Sequence, residues 1–232
     1  MKDHEFKFVR EMFDNIAPRY DFLNRLLSLR RDVYWRRALV ESLELTSGGA
    51  VLDAACGTAD VALEIVRNSP CRVEVVGIDF APEMLRLAAA KTKSKPIFLV
   101  VADAFDMPFD QAGFSAVTMA FGIRNIQNKA AILQQFIQQL KPGGRVAILE
   151  LVTPTRGPAR SAYLFYFNTL LPLIGRFFSQ HSFAYRYLPE SVASFPTAPE
   201  FAALMRRCGF TNVRYRELTL GIAVLFVGDK PR

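Results

Sequence analysis

The stretch AVLDAACGTAD, residues 50–60, combines an apolar run, a turn that contains Gly57 and the beginning of a helical pattern. The apolar run is short and nearly continuous, which is typical of a parallel strand covered on both faces. The helical pattern DVALEIVRN begins at Asp60, directly after the turn. A strand, a tight turn and a helix in this order predict the first βα unit of an open α/β sheet.

Four further apolar runs continue this rhythm along the chain, and each has the length of a strand. They are VEVVGID (73–79), IFLVVAD (97–103), FSAVTMAF (114–121) and RVAILELV (145–152). Helical patterns lie between them, notably PEMLRLAAAKTK and NKAAILQQFIQQLKPGG, the second closed by a Lys, Pro and two Gly stop signal. The alternation predicts a doubly wound sheet.

The segments that flank this sheet are of a different kind. Residues 6–45 have helical spacing, which we expect Asp21, Asn24 and Ser28 to punctuate. Residues 153–197 form an aromatic-rich excursion, and such insertions in a compact sheet are more often functional than idle. The helix APEFAALMRRCGF and two strands, around NVRYREL and IAVLFVG, close the chain.

Length and composition bound the class of protein. The chain has 232 residues, of which 51% are apolar and 22% charged, as expected of one globular domain over residues 1–232. The net charge of +7 suits nucleic acid, an anionic membrane surface or an acidic ligand, and equally a solubility charge without a partner. Cys56, Cys71 and Cys208 lack disulfide or metal spacing, so we predict a reducing, cytoplasmic compartment and no metal site.

The apolar stretch YLFYFNTLLPLIGRFF, residues 163–178, is the best candidate for a membrane contact. It is shorter than the ~20 residues of a spanning helix and contains Asn168 and Pro172. We expect it to lie on a bilayer or to receive an apolar tail, with Arg160 and Arg176 at its edges. An amphipathic helix of the core is an equal alternative. The N-terminus has no apolar signal region, so we do not expect a cleaved signal peptide.

The charges around the first turn favour one class of cofactor. Gly57, Ala59 and Ala62 give only a degraded dinucleotide fingerprint. Asp53 precedes the turn and Asp60 follows it, whereas a pyrophosphate needs neutral or positive surroundings. Carboxylates attract a ligand that carries an ammonium or sulfonium group. The sequence therefore favours S-adenosyl-L-methionine over NAD.

Acidic residues also end the second and third predicted strands. Asp79 can accept hydrogen bonds from both hydroxyls of a ribose. Asp103, followed by Ala104, can accept the amino group of an adenine, with apolar faces from Met84 and Phe105. Each acid alone could be a helix cap or loop residue, but acids after successive strands favour a nucleotide site.

This layout resembles the class I S-adenosylmethionine-dependent methyltransferases, whose motifs are matched by Asp53, Gly57, Asp79 and Asp103. Three longer stretches resemble the quinone-biosynthesis C-methyltransferases of the UbiE/MenG type over nearly the whole chain. They are MFDNIAPRYDFLNRLLSL (12–29), FGIRNI (121–126) and YRYLPESVASFP (185–196), and the tail GFTNVRYRELTLGIAVLFVGDK resembles them too. The resemblance implies a Rossmann-like α/β sheet, mostly parallel with an antiparallel last strand, an N-terminal helical lid and a helical insertion after the fifth strand.

The resemblance also implies an activity, which is methyl transfer from S-adenosyl-L-methionine to a ring carbon of a polyprenylated hydroquinone, either demethylmenaquinol or a methoxy-benzoquinol. We expect residues 47–152 to bind the cofactor. The family's cofactor residues carry over to Thr58, Asp79, Asp103 and Ala104, and we group Phe121 with them. The chain departs from common family residues at three positions: many members have glycine at Ala59, some have serine at Ala120, and glycine is common at Arg30.

Carbon methylation requires a nucleophilic ring, and a hydroquinone is most nucleophilic as a phenolate. Arg124 is suited to stabilise that charge because its guanidinium stays protonated, which also argues against it as the base. Asn125 can donate to the same oxygen. The alternative for Arg124 is a pair with a nearby carboxylate that closes the loop.

Three side chains are candidates for the base that removes the hydroxyl and ring protons. His181 lies in the excursion and titrates near neutral pH, but lone histidines are usually surface residues. Tyr20 and Asp21 come from the predicted lid, where capping and packing are equally plausible roles. Water is a further candidate. We expect the head-group pocket to include Tyr187, Glu190 and Ser191.

Two rival functions follow from the same sequence. A methyltransferase of a soluble phenol or sterol would have the same sheet without needing the apolar excursion. A basic RNA-associated protein would suit the net charge, but lysines and arginines are scattered without aromatic stacking residues between them. We therefore expect a polyprenyl hydroquinone as substrate, transient contact with the inner face of a membrane and no nucleic acid, and we leave a homodimer open.

Overall fold

The computed structural model describes residues 3–46, 48–154, 160 and 182–232, with the side chains of 3–8 and 182–186 left aside. Seven strands of these ranges form one sheet in the order β3-β2-β1-β4-β5-β7-β6. Only β7 runs antiparallel to its neighbours, as predicted for the last strand. The strands are β1 Gly49–Ala54, β2 Val73–Asp79, β3 Ile97–Val101, β4 Phe114–Ala120, β5 Leu140–Leu151, β6 Thr211–Leu218 and β7 Ala223–Asp229.

Helices lie before, between and after the strands. They are α1 Asp3–Leu27, α2 Arg31–Ser42, α3 Asp60–Asn68, α4 Pro82–Thr92, α5 Lys129–Gln139, α6 Ser182–Ala193 and α7 Ala198–Arg207, and a short 3-10 turn covers Ile123–Asn125. The predicted α/β class and its alternating order are confirmed. No helix in the described ranges is both long and apolar enough to span a bilayer.

The core explains why the strands are so uniformly apolar. One buried cluster includes Val51 of β1 and Val75 of β2, and a second includes Leu52 and Val117 on the opposite face of the sheet. Neighbouring residues of a strand point to opposite faces, so a strand covered on both sides needs apolar residues at every position.

The structure differs from the predicted helix pattern in α1. Asp21 and Asn24 do not punctuate the segment, because one helix continues through both of them to Leu27. Asp21 satisfies its carboxylate across the molecule, accepting from Thr58 and Lys91, so it does not compete with its own helix backbone. Leu29 and Arg30 have positive φ and separate α1 from α2.

A second difference concerns the end of α5. The helix ends at Gln139, but β5 begins directly at Leu140, five residues before the predicted run from Arg145. Leu140 pairs with Phe114, and the β4–β5 register shifts after that pair. Gly144 permits the close approach, since a Cβ there would lie 2.8 Å from the Lys141 carbonyl oxygen. Gly144 thus shapes the strand, whereas the sequence indicated only a stop signal for the helix.

The sheet topology brings several loops to one edge. Strands β1 to β5 are parallel, so their carboxyl ends meet, and β6 points the same way because it is antiparallel to β7. The order reverses between β1 and β4, and in such sheets ligands bind at the carboxyl ends near this reversal. Helix α1 packs against α4 beside this edge.

Candidate active site

A cleft opens at this edge of the sheet. Its wall includes residues at or after the carboxyl ends of β1, β2, β3 and β4, and residues of α1. Of the predicted site residues it contains Gly57, Asp79, Met84, Asp103, Ala104, Phe121, Asn125 and Tyr20, together with Ala120 and Phe105. The structure therefore brings together most of the side chains that the sequence scatters over a hundred positions.

Asp79 at the end of β2 shapes the first turn as well as the cleft. One carboxylate oxygen accepts from the Gly57 N–H at 2.8 Å, and the other accepts from the Ala81 N–H at 2.9 Å. Burial raises the pKa of Asp79, and the two backbone donors partly offset this. The carboxylate retains lone pairs toward the cleft, because each oxygen can accept two hydrogen bonds.

The turn between β1 and α3 has an unusual backbone. Ala55, Gly57 and Ala59 have φ values of 52°, 54° and 64°, so two alanines occupy the left-handed region that favours glycine. Ala59 is fully buried at the start of α3, and the turn accommodates its methyl group. Tyr20 of α1 covers the turn from the other side, with its ring 4.0 Å from the position of a Gly57 Cβ.

Asp53 lies beneath this turn and does not belong to the cleft wall. The Thr118 hydroxyl donates to one Asp53 oxygen at 2.7 Å, whereas the other oxygen is buried without a hydrogen-bond partner. Burial raises the pKa of Asp53 to about 7, against the hydrogen bond from Thr118.

This burial predicts a pH-dependent stability. Above its unfolded pKa near 3.9, the unfolded chain loses the Asp53 proton, whereas the folded protein keeps it up to about pH 7. The free energy of unfolding should therefore fall as the pH rises through this window. Asparagine does not titrate, so the free energy of unfolding of Asp53→Asn minus that of the parent should rise by about 3 kcal/mol between pH 5 and pH 8 in urea denaturation. Asp110→Asn, at an exposed carboxylate, is the control, and a pH-independent difference would contradict the shift.

Asp103 and its neighbours form the next part of the wall. The Phe105 N–H donates to an Asp103 carboxylate oxygen at 2.9 Å, which holds the segment after β3 in a tight turn. Met84 of α4 is buried and contributes an apolar surface, as do Ala104 and Phe105. These four residues thus provide an acid between apolar surfaces, as the sequence predicts for an adenine site.

Arg124 lies behind the cleft wall in a buried ion pair. Its Nη1 donates to Glu150 Oε1 at 2.8 Å and also to the Phe121 carbonyl, and its backbone N–H donates to Glu150 Oε2 at 3.0 Å. Glu150 is completely buried. Burial alone would lower the pKa of Arg124, but the charge of Glu150 outweighs it and the pKa is raised. The carboxylate pair that the sequence leaves as an alternative is present, while Nε has no partner.

Asn125 stands next to Arg124 but faces the cleft. The Tyr187 hydroxyl of α6 donates to its side-chain oxygen at 3.1 Å, which joins α6 to the 3-10 turn. Tyr20 is close enough to Arg124 for the guanidinium charge to lower the pKa of its phenol. Burial raises the pKa of Tyr20 above 10.0, against its hydrogen bond to Asn24 and the Arg124 charge. Tyr20 therefore stays protonated at neutral pH.

Asp21 of α1 and Thr58 of the first turn contact each other outside the cleft wall. The Thr58 hydroxyl donates to Asp21 at 2.5 Å, and Lys91 of α4 donates to Asp21 at 2.8 Å and to Thr58 at 3.1 Å. Lys91 also pairs with Asp60 at the start of α3. Burial opposes ionisation of Asp21, but the hydrogen bonds from Lys91 and Thr58 outweigh it and lower its pKa. These contacts fasten α1 to the first turn.

The remaining predicted site residues lie elsewhere. His181 and the stretch 163–178 fall outside the described residues. Glu190 is exposed, and the buried Ser191 hydroxyl donates to the Leu188 carbonyl within α6. Sequence reasoning missed Glu150, although an acid within the apolar run RVAILELV was a usable signal, because a buried carboxylate needs a partner. It also missed Lys91, which no motif marks.

Comparison with known proteins places the chain in a family. A sequence model described as the ubiE/COQ5 methyltransferase family matches residues 1–230. The chain belongs to this family. The predicted resemblance to UbiE-type enzymes and the predicted methyltransferase class are therefore confirmed. Among the similar curated proteins is the "Ubiquinone/menaquinone biosynthesis C-methyltransferase UbiE" of Geotalea uraniireducens, 47% identical over 226 residues that cover 96% of each chain.

Further similar proteins also have names that describe methyltransferases of quinone biosynthesis. Two proteins named "Demethylmenaquinone methyltransferase" are 45% and 44% identical, from Deinococcus radiodurans and Thermus thermophilus. The first covers 99% of this chain and 95% of its own, the second 95% and 100%. The fold resembles the solved [4+2]-cyclase SpnF, with a TM-score of 0.70, 15% identity and coverage of 96% and 95%. It also resembles Haemonchus contortus phosphoethanolamine N-methyltransferase 2, with a TM-score of 0.62, 16% identity and coverage of 85% and 52%.

Proposed function

We propose that this protein transfers a methyl group from S-adenosyl-L-methionine to a ring carbon of a polyprenylated hydroquinone, with demethylmenaquinol as the leading substrate and menaquinol as the product. One observation carries the proposal: acids suited to a nucleoside and an amide suited to a quinol oxygen line the same cleft. Asp79, Asp103 and Asn125 all belong to its wall. The names of relatives at 44–47% identity over nearly the whole chain support the same substrate class.

The residues present fit S-adenosyl-L-methionine. Two carboxylates and no lysine or arginine line the cleft in the described part of the chain, which suits a cationic cofactor and disfavours a pyrophosphate. In this assignment Asp79 accepts the ribose hydroxyls and Asp103 the adenine amino group, with Met84 against the base. Gly57 and Phe121 complete the cofactor wall, while Thr58 and Asp53 support the turn from behind. The bound cofactor supplies an electrophilic methyl group.

The head group then occupies the end of the cleft near Asn125. Asn125 donates to the quinol oxygen through its amide nitrogen, because its oxygen already accepts from Tyr187. Tyr20 donates a second hydrogen bond, since its raised pKa keeps the phenol protonated. Arg124 stabilises the developing phenolate from behind the wall, through its charge and by holding the turn that carries Asn125.

This assignment leaves the proton acceptor outside these three residues. Tyr20 is a poor base because it is already protonated at neutral pH, and Asp21 is held by Lys91 and Thr58. We propose that the hydroxyl proton leaves to water at the open side of the cleft and that the ring proton follows after methyl transfer. Tyr20 and the helix that carries it exclude other water from the reacting carbon.

The proposal is tested by incubating the protein with methyl-labelled S-adenosyl-L-methionine and reduced acceptors. Demethylmenaquinol, a prenylated methoxy-benzoquinol and a tailless soluble phenol are offered in parallel, and the labelled product is extracted and counted. We expect label in demethylmenaquinol. Label only in the soluble phenol would assign the protein to the rival methyltransferase function. No label in any acceptor, with the cofactor shown to bind, would overturn the substrate assignment.

A further inference from the structure

Two leucines on the surface are exposed to an unusual degree. Leu29, after α1, has 79% of its surface exposed, and Leu220, in the turn between β6 and β7, has 80%. These are the highest values for large apolar side chains in the described part of the chain. Leu26, one turn before Leu29 at the end of α1, is also exposed. Scattered apolar residues are normal on a surface, but a contiguous group marks an interaction site.

Both leucines stand at the edge of the sheet where the cleft opens. Leu220 follows the carboxyl end of β6, which points the same way as β1 to β5. The two segments are linked, since the Trp35 indole N–H donates to the Thr219 hydroxyl at 2.8 Å. On the inner side, Leu23 and Leu27 of α1 pack with Ile222 and Val192. The end of α1 and the turn that carries Leu220 therefore pack in the same cluster.

The backbone presents these side chains at a conformational cost. Leu29, Arg30 and Leu220 have φ values of 50°, 63° and 58°, in the left-handed region where side chains other than glycine are strained. Glycine at these positions would relax the backbone, so the fold itself does not require these side chains.

Two exposed arginines carry positive charge beside Leu29. Residues 19–37 contain six arginines and two aspartates. Both acids are engaged internally, Asp21 with Lys91 and Asp32 with Arg36. Three of the arginines also pair with acids of α3, namely Arg25, Arg36 and Arg37 with Asp60 or Glu64. Arg30 and Arg31 are exposed beside Leu29. Apolar side chains that project among arginines match a bilayer surface with anionic head groups, where leucine enters the interface and arginine contacts phosphate.

We infer that this face, the leucine edge, docks the protein on an anionic lipid bilayer. It consists of Leu26, Leu29, Arg30, Arg31 and Leu220. The inference rests on the proposed function to the extent that docking has a purpose only for a lipid-tailed substrate. With the leucine edge on the bilayer, the cleft at the same end of the sheet lies close to the surface. A quinol head group can then enter the cleft while its tail remains in the membrane.

The test uses sedimentation of the full chain with vesicles of phosphatidylcholine alone and of phosphatidylcholine with phosphatidylglycerol. The parent should bind the anionic vesicles, and increasing salt should weaken binding. Leu29→Gly/Leu220→Gly removes both side chains at positions where glycine relaxes the backbone, so it should fold at least as well as the parent. It should bind about tenfold more weakly. Arg30→Gly should bind anionic vesicles about fivefold more weakly.

The matched control is Phe98→Ser, which removes an exposed aromatic side chain from β3, at the far edge of the sheet. It should bind vesicles like the parent. Equal binding by the parent and the double glycine variant overturns the inference, as does loss of binding only in the control. Absence of vesicle binding with self-association lost in the glycine variant would assign the face to a second copy of the chain instead.

A second measurement separates this inference from the proposed function. Methylation by the double glycine variant is compared for a short-tailed quinol in solution and for a long-tailed quinol in vesicles. We expect unchanged turnover of the first and about tenfold slower turnover of the second. Vesicle binding without methylation of any quinol would contradict the proposed function and leave the docking face intact. Methylation without vesicle binding would do the reverse.

Discussion

Replacement of Arg124 by methionine is expected to lower the free energy of unfolding by about 3 to 5 kcal/mol, because it leaves the buried charge of Glu150 without a partner. The same change should lower kcat by about 100-fold, since it removes the fixed charge behind the head-group site. Urea denaturation measures the first effect, and steady-state methylation of demethylmenaquinol measures the second, with the variant kept under conditions in which it is folded.

A second variant separates the two effects. In Arg124→Met/Glu150→Gln the buried charge is gone, and the glutamine oxygen can still accept one of the two backbone N–H groups that Glu150 accepts, from Arg124 and Leu151. We expect this variant to recover at least about half of the lost stability, because neutral replacements of a buried pair are tolerated. Its kcat should remain about 100-fold low.

The activity of the double variant distinguishes the two interpretations of Arg124. If kcat returns with stability, the guanidinium serves only to close the loop, as the ion-pair alternative holds. If kcat stays low in a stable protein, the positive charge itself takes part in the reaction. A matched control is Arg145→Met, which breaks a partly exposed pair between Arg145 of β5 and Asp229 of β7. Neither residue lines the cleft, so kcat should be unchanged.

The sheet was predictable because its information is local. In the runs 73–79 and 114–121 most residues are apolar, which over so short a length is typical of a strand covered on both faces. Acids at strand ends were equally readable, since parallel strands deliver their carboxyl ends to one edge. The position of Asp79 and Asp103 in the cleft wall could therefore be predicted without any knowledge of side-chain geometry.

The partners of the site residues were not predictable in the same way, because they depend on contacts between distant segments. Arg124 and Glu150 are 26 positions apart, and Asp21 and Lys91 are 70 apart. No spacing rule links such pairs, so the sequence could state only that Arg124 requires a partner, either a substrate or a carboxylate. Tertiary contacts also overrode local preference in α1, where Asp21 lies inside the helix because its carboxylate is satisfied elsewhere.

The cofactor assignment makes the other large prediction. Asp79→Ala should weaken binding of S-adenosylhomocysteine by about 100-fold in isothermal titration calorimetry. The change removes the charged acceptor for two ribose hydroxyls, and it leaves the Gly57 and Ala81 N–H groups without their acceptor, so the first turn loosens as well. S-adenosylhomocysteine is used because it keeps the ribose and adenine while lacking the reactive methyl group.

Asp79→Asn separates contact from support. The asparagine oxygen can still accept one of the two backbone N–H groups, so the turn should be largely retained while the negative charge toward the ribose is lost. We expect binding about tenfold weaker than the parent and about tenfold stronger than Asp79→Ala. Asp110→Asn, an exposed acid of the loop after β3, should bind like the parent. If Asp79→Ala binds S-adenosylhomocysteine as tightly as Asp110→Asn does, the ribose does not lie at Asp79 and the orientation proposed for the cofactor is wrong.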